Sequence, residues 1–99
     1  MFKKPAKAKK CDAMRGIAEE GESVMQEFKS TEAIDAELIG AAQKSEHYEM
    51  AGYGCLCSWA KELGNKEAHR LLKETLEEEK AADHKWTKLA ESSANRIAA

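Results

Sequence analysis

Apolar and polar positions recur at helical spacing along almost the whole chain. Met14, Ile17, Val24, Met25 and Phe28 predict a first helix over residues 11–29. Gly16 and Gly21 weaken it, so a bend or break near Gly21 is expected. The pattern restarts at "STE", residues 30–32, where Ser30 or Thr31 can cap and Glu32 suits the positive end of a helix. A long helix then runs to about residue 63. Its seam reads Ile39, Ala42, Glu46, Glu49, Tyr53, Leu56, Ala60, Leu63, the heptad pattern of a bundle helix. Gly40, Gly52 and Gly54 interrupt it, each at a cost of roughly 1 kcal/mol relative to Ala. Close approach by a neighbouring helix is the expected compensation. "GNKE", residues 64–67, breaks the pattern: Gly64 can end one helix in the left-handed region and Asn65 can cap the next. A last helix over about residues 66–93 has the seam Leu72, Leu76, Glu79, Asp83, Trp86, Ala90. So short a break makes the two long helices antiparallel neighbours.

Both long seams are acidic in the middle. With the hairpin folded about Asn65, Glu49 comes level with residue 81, between Glu79 and Asp83, and Glu46 comes level with about residue 84. Four seam carboxylates then gather in one layer. An unpaired carboxylate in an apolar core is costly, and four together repel one another. A multivalent cation removes both problems, and facing carboxylates are how bundle cores hold di-iron or di-manganese centres. Oxygen ligands suit Mn, Fe, Mg or Ca. The competing reading is a solvated acidic face, with "LEEEKAAD" reaching water and Lys44 and Lys80 supplying ion pairs.

The histidines do not decide between these. No Glu-x-x-His occurs: Lys44, Lys66 and Ala81 stand three residues before His47, His69 and His84. His47 neighbours Glu46 but points about 100° away around the helix. It is either a rim or supporting ligand or an exposed helix residue. His84 has a similar, weaker claim beside Asp83, and His69 reads as surface. Tyr53 lies on the acidic seam, either as a hydrogen-bond donor or electron relay or as a packed aromatic. Glycine-rich phosphate loops, nucleophile elbows and Cys–His pairs in a recognisable context are absent from the sequence, so no catalytic residue is assigned.

Composition agrees with a small helical protein. The chain has 99 residues, enough for one domain with a modest core. Hydrophobic residues make up 42% and charged residues 34%, too apolar for a disordered chain, and β-branched residues are scarce. The net charge of -2 disfavours a polyanion-binding role, although the Lys-rich start "MFKKPAKAKK" could touch nucleic acid. Residues 1–10 read instead as a flexible arm and residues 11–99 as the folded unit. No apolar run is long enough for a membrane span or a signal peptide, so a cytoplasmic location is expected. Cys11, Cys55 and Cys57 are expected to be reduced thiols, buried or half-buried.

The stretches "CDAMRGIAEEGESV", "AAQKSEHYEMAGYG", "AKELGNKEA" and "LLKETLEEEKAADHKWTKLAE" together resemble the C-terminal part of the YciE/YciF family of ferritin-like proteins, from Cys11 to about Ser92. That resemblance implies a bacterial stress association, a four-helix bundle and a carboxylate-rich centre for two metals, iron or manganese. The implied fold is all-α, half of a ferritin-like bundle: a long antiparallel hairpin preceded by a shorter helix. Carried over by motif, the metal ligands are Glu46, Glu49, Glu79 and Asp83, with Glu78 and His47 as alternatives. Family members also carry an N-terminal helical hairpin with the remaining ligands, which this sequence lacks. The chain is therefore expected to be a fragment, or to complete its bundle as a homodimer or with a full-length relative.

Three functions follow as alternatives. One is a ferritin-like Fe/Mn-binding stress protein, able to oxidise Fe(II) or consume peroxide if the site is redox-active. The second is a metal-free helical self-association module or a non-functional truncated member. The third, nucleic-acid binding through the Lys arm, is disfavoured by the acidic remainder.

Overall fold

The computed structural model describes residues 4–99, so the first three residues of the expected arm lie outside it. Residues 4–10 carry no helix and are exposed. Helix α1 spans Asp12–Phe28, α2 Ile34–Glu62 and α3 Lys66–Leu89. The last run continues through a π-helical segment, Ala90–Ala94, into a short α4, Asn95–Ala98, several residues past the expected end. This is the all-α arrangement read from the sequence, a shorter helix ahead of a long antiparallel hairpin.

The helix ends explain themselves locally. Cys11 caps α1, its Sγ accepting from the Met14 amide at 3.4 Å. α1 does not break at Gly21, contrary to expectation. A Cβ there would lie 3.8 Å from the Ala41 Cβ, so two small residues sit where α1 crosses α2. That packing outweighs the intrinsic cost of one glycine. Nor does Ser30 or Thr31 cap α2. The Thr31 hydroxyl instead donates to the Phe28 carbonyl at 2.8 Å, closing the turn after α1. α2 then starts from Ala33 without a side-chain cap.

The α2–α3 reversal follows the sequence closely. Gly64 takes φ +70°, the Gly64 amide donates to the Lys61 carbonyl and the Asn65 amide to that of Ala60. These two bonds are the Schellman closure of a helix C-terminus. Asn65 then caps α3, its Oδ1 accepting from the Ala68 amide at 3.0 Å.

α2 lies between α1 and α3, which do not touch each other among the described residues. The result is an open layer with Cα extents of 50 × 27 × 14 Å. Its fully buried apolar residues lie at the two ends. At the open end of the hairpin Ile39, Ala90 and Ala94 are buried, with Ala36 and Trp86 against them. Near the turn Cys57, Ala60 and Ala68 are buried.

Several seam expectations are corrected. Leu56 and Leu63 are exposed, and Cys57 takes the inward place. A straight helix has 3.6 residues per turn and drifts about 20° per heptad from a 3.5-residue seam. The eighteen residues from Ile39 to Cys57 are five true turns. Leu63 falls in the reversal itself. Gly40, Gly52 and Gly54 face open space rather than a closely approaching helix. Cys11 and Cys55 are exposed, one capping a helix end and the other on an uncovered flank of α2, and only Cys57 is buried.

Gly64→Ala should lower unfolding free energy by about 1–2 kcal/mol, because an L-residue is strained in the left-handed region. Gly16→Ala, in exposed helix with nothing within 4 Å, should instead raise it by up to about 1 kcal/mol. Urea unfolding midpoints measure both.

Candidate metal centre

The two apolar ends of the hairpin flank an acidic middle. Glu46 and Glu49 stand three residues apart on one face of α2, and Glu79 meets them from α3. One carboxylate oxygen from each lies within 4.8 Å of the other two, and all three residues are half-buried. Glu46 Oε2 is buried without a hydrogen-bond partner. A buried carboxylate oxygen left unpaired beside two further carboxylates is the costly arrangement that a cation relieves.

The register decides which acids meet. Glu49 faces Glu79, Gln43 reaches Asp83, and His69 Nδ1 donates to the Cys57 carbonyl at 3.0 Å. These pairs centre the hairpin on Gly64, so Glu49 is level with Glu79 rather than with residue 81. Asp83 therefore lies about one turn beyond the cluster and is not brought together with the three glutamates. It serves a different network. Its Oδ1 is 2.9 Å from His47 Nε2 and accepts from Gln43 Nε2 at 3.3 Å, and Gln43 also donates to Thr87 Oγ1 at 2.8 Å. His47 faces Asp83 rather than the cluster, and its side chain is 63% exposed. Glu78 is exposed beside Glu79. Tyr53 is half-buried and lines a groove that also contains Glu49. Gln43 was not singled out by the sequence; its place one turn before Glu46 is the signal that could have found it.

Proximity shows in the titration. Glu49 is pushed above the usual carboxylate range, first by sharing a hydrogen bond with Glu79, then by burial and by repulsion from Glu79. Glu79 is pushed up first by a hydrogen bond to Glu46, then by burial and the charges of Glu46 and Glu78, while its bond with Glu49 acts in the opposite direction. A proton thus partly does what a cation would do.

All of residues 1–99 match the family described as a domain of unknown function, DUF892. Protein YciF of Escherichia coli (strain K12) is 52% identical over 92 residues, covering 93% of this chain. The chain belongs to the DUF892 family, that of YciF. The crystal structure of the E. coli stress protein YciF is similar with a TM-score of 0.84 at 53% identity, over 90% of this chain and 56% of that one. The chain spans about half the length of the curated relative, 55%. What this DUF892-family chain shares with YciF is therefore the hairpin and its preceding helix.

In metal-free protein Glu49 and Glu79 hold protons more tightly folded than unfolded, so the folded state binds more protons above the ordinary carboxylate pKa. Stability from these groups then falls as pH rises through that window. Thermal unfolding in chelator from pH 4.5 to 7.5 should show Glu79→Gln flattening this decline and raising the melting temperature at neutral pH by a few degrees.

Proposed function

We propose that this chain binds iron or manganese through carboxylates, as a ferritin-like protein of the stress-associated YciF type. The observation that carries the reading is the orphaned Glu46 Oε2 within a cluster completed by Glu49 and Glu79. The donor set fits the ion. Three carboxylates are hard oxygen donors, suited to Mn, Fe, Mg or Ca and poorly suited to soft metals. Glu46, Glu49 and Glu79 would hold the cation. His47 and Gln43 hold Asp83 about one turn away, outside this donor set. Bound iron or manganese would supply redox chemistry toward oxygen or peroxide.

Three carboxylates carry enough charge for one divalent cation, whereas two-metal bundle centres draw acids and histidines from four helices. A two-metal centre thus calls for a second protein surface over the open layer. We take that surface to be a second copy or a full-length relative.

The test is anaerobic titration of chelator-stripped protein with Mn(II) or Fe(II), followed by thermal unfolding. A ligand that binds only the folded state at a hundred times its Kd adds about 2.7 kcal/mol, a rise of roughly 10 °C or more for a domain of this size. Wild type should show that rise, and Glu46→Gln with Glu79→Gln should abolish it. An unchanged melting temperature over a wide metal range would leave the metal-free interaction module as the function.

A further inference from the structure

Three sulfur-bearing side chains, none of them part of the carboxylate cluster, line a single groove along α2. Cys11 and Met14 come from the start of α1 and Cys55 from α2 itself. Cys11 is the cap of α1 and Met14 stands three positions on, so the two side chains leave α1 on the same side. Both meet α2. Cys11 Sγ lies 2.9 Å from the Tyr48 hydroxyl, and Met14 Sδ lies 3.8 Å from Ser45 Oγ, one turn away on the same face of α2. Cys11 Sγ also accepts from the Met14 amide at 3.4 Å. The two sulfurs are thus gathered where α1 begins against α2. Met14 is half-buried there, while Cys11 is open to solvent. Cys55 stands seven residues after Tyr48, two turns along the same stripe and about 10 Å further down the groove.

The setting of Cys11 favours the ionised thiol. The first amides of a helix and its dipole stabilise negative charge at that end. The Cys11 thiol is held below the usual thiol range, first by the hydrogen bond with Tyr48 and then by the Met14 amide. Toward a thiolate the Tyr48 hydroxyl can only donate. A thiolate beside a thioether is a soft donor pair, the chemical opposite of the three glutamates, and it selects Cu(I) over Mn, Fe, Mg or Ca. One thiolate balances the charge of one monovalent cation. Glu49 on the groove wall adds negative potential that draws a cation in.

We propose that Cys11 and Met14 hold a soft monovalent cation, Cu(I) or its analogue Ag(I), at the head of this groove, a metal site separate from the carboxylate cluster. Cys11 supplies the thiolate. The flexible Met14 side chain brings its thioether from Ser45 onto the ion. Tyr48 fixes the thiolate by donating to it. Cys55 shares the groove and its exposure, but no other sulfur of the groove lies at its level. It is therefore the internal comparison for a thiol that binds without a partner.

The test is anaerobic competition for Cu(I) between reduced, metal-stripped protein and a colorimetric Cu(I) chelator. Wild type should withdraw one tightly held equivalent. Met14→Leu, close in volume, and Cys11→Ser, which keeps a capping side chain, should each weaken that equivalent by at least about tenfold with unchanged helical circular dichroism. Cys55→Ser should change it by less than about threefold, as an independent position. Glu46→Gln with Glu79→Gln should leave it unaltered, so the result is read separately from the fate of the carboxylate reading. Wild-type affinity in Met14→Leu would reduce the site to a single thiol and overturn the proposal. Loss of the tight equivalent in Cys55→Ser, or a wild type that withdraws no Cu(I) from the chelator, would overturn it as well.

Discussion

The Schellman closure at Gly64 and the Asn65 cap set the level at which every residue of α2 meets α3. The left-handed Gly64 leaves little freedom in how far one helix slides along the other. With that level fixed, Glu46 and Glu49 face Glu79, and Asp83 falls one turn away onto His47 and Gln43. A slip of one residue would rotate the facing set by about 100° and disperse the cluster.

The acidic middle sits in a chain with little core to offset it. Six residues are buried, and none is a large side chain that is fully enclosed among the described residues. Marginal burial makes like-charge repulsion consequential, because native stability is a small difference between large terms. The carboxylates therefore weaken the isolated metal-free hairpin, and a cation would reverse the sign of their contribution. Metal binding in such a domain is coupled to folding, since the site does not exist in the unfolded chain. A partner over the open layer, as proposed above, would add a second coupling by burying what the chain alone leaves exposed.

Much of this was legible in the sequence. Alternating three- and four-residue steps located both long helices, and "GN" located the reversal. The glutamates stood out because they interrupted apolar seams. What was misread has physical causes. A heptad template assigned Leu56 inward, whereas the true helical period brings Cys57 there. Folding about Asn65 rather than Gly64 placed Asp83 in the cluster and left Gln43 unnoticed. Ser30 and Thr31 are good caps in isolation, but Thr31 is drawn into the turn that ends α1. The glycines of α2 promised a close neighbour, which is absent among the described residues.

The most direct measurement is anomalous diffraction at the manganese edge from crystals of the Mn(II)-loaded protein. The expected result is a peak within bonding distance of Glu46, Glu49 and Glu79 oxygens, lost in Glu46→Gln with Glu79→Gln. Loaded crystals with no peak at these three carboxylates, or with manganese held only elsewhere, would contradict the assignment of this hairpin as a metal site.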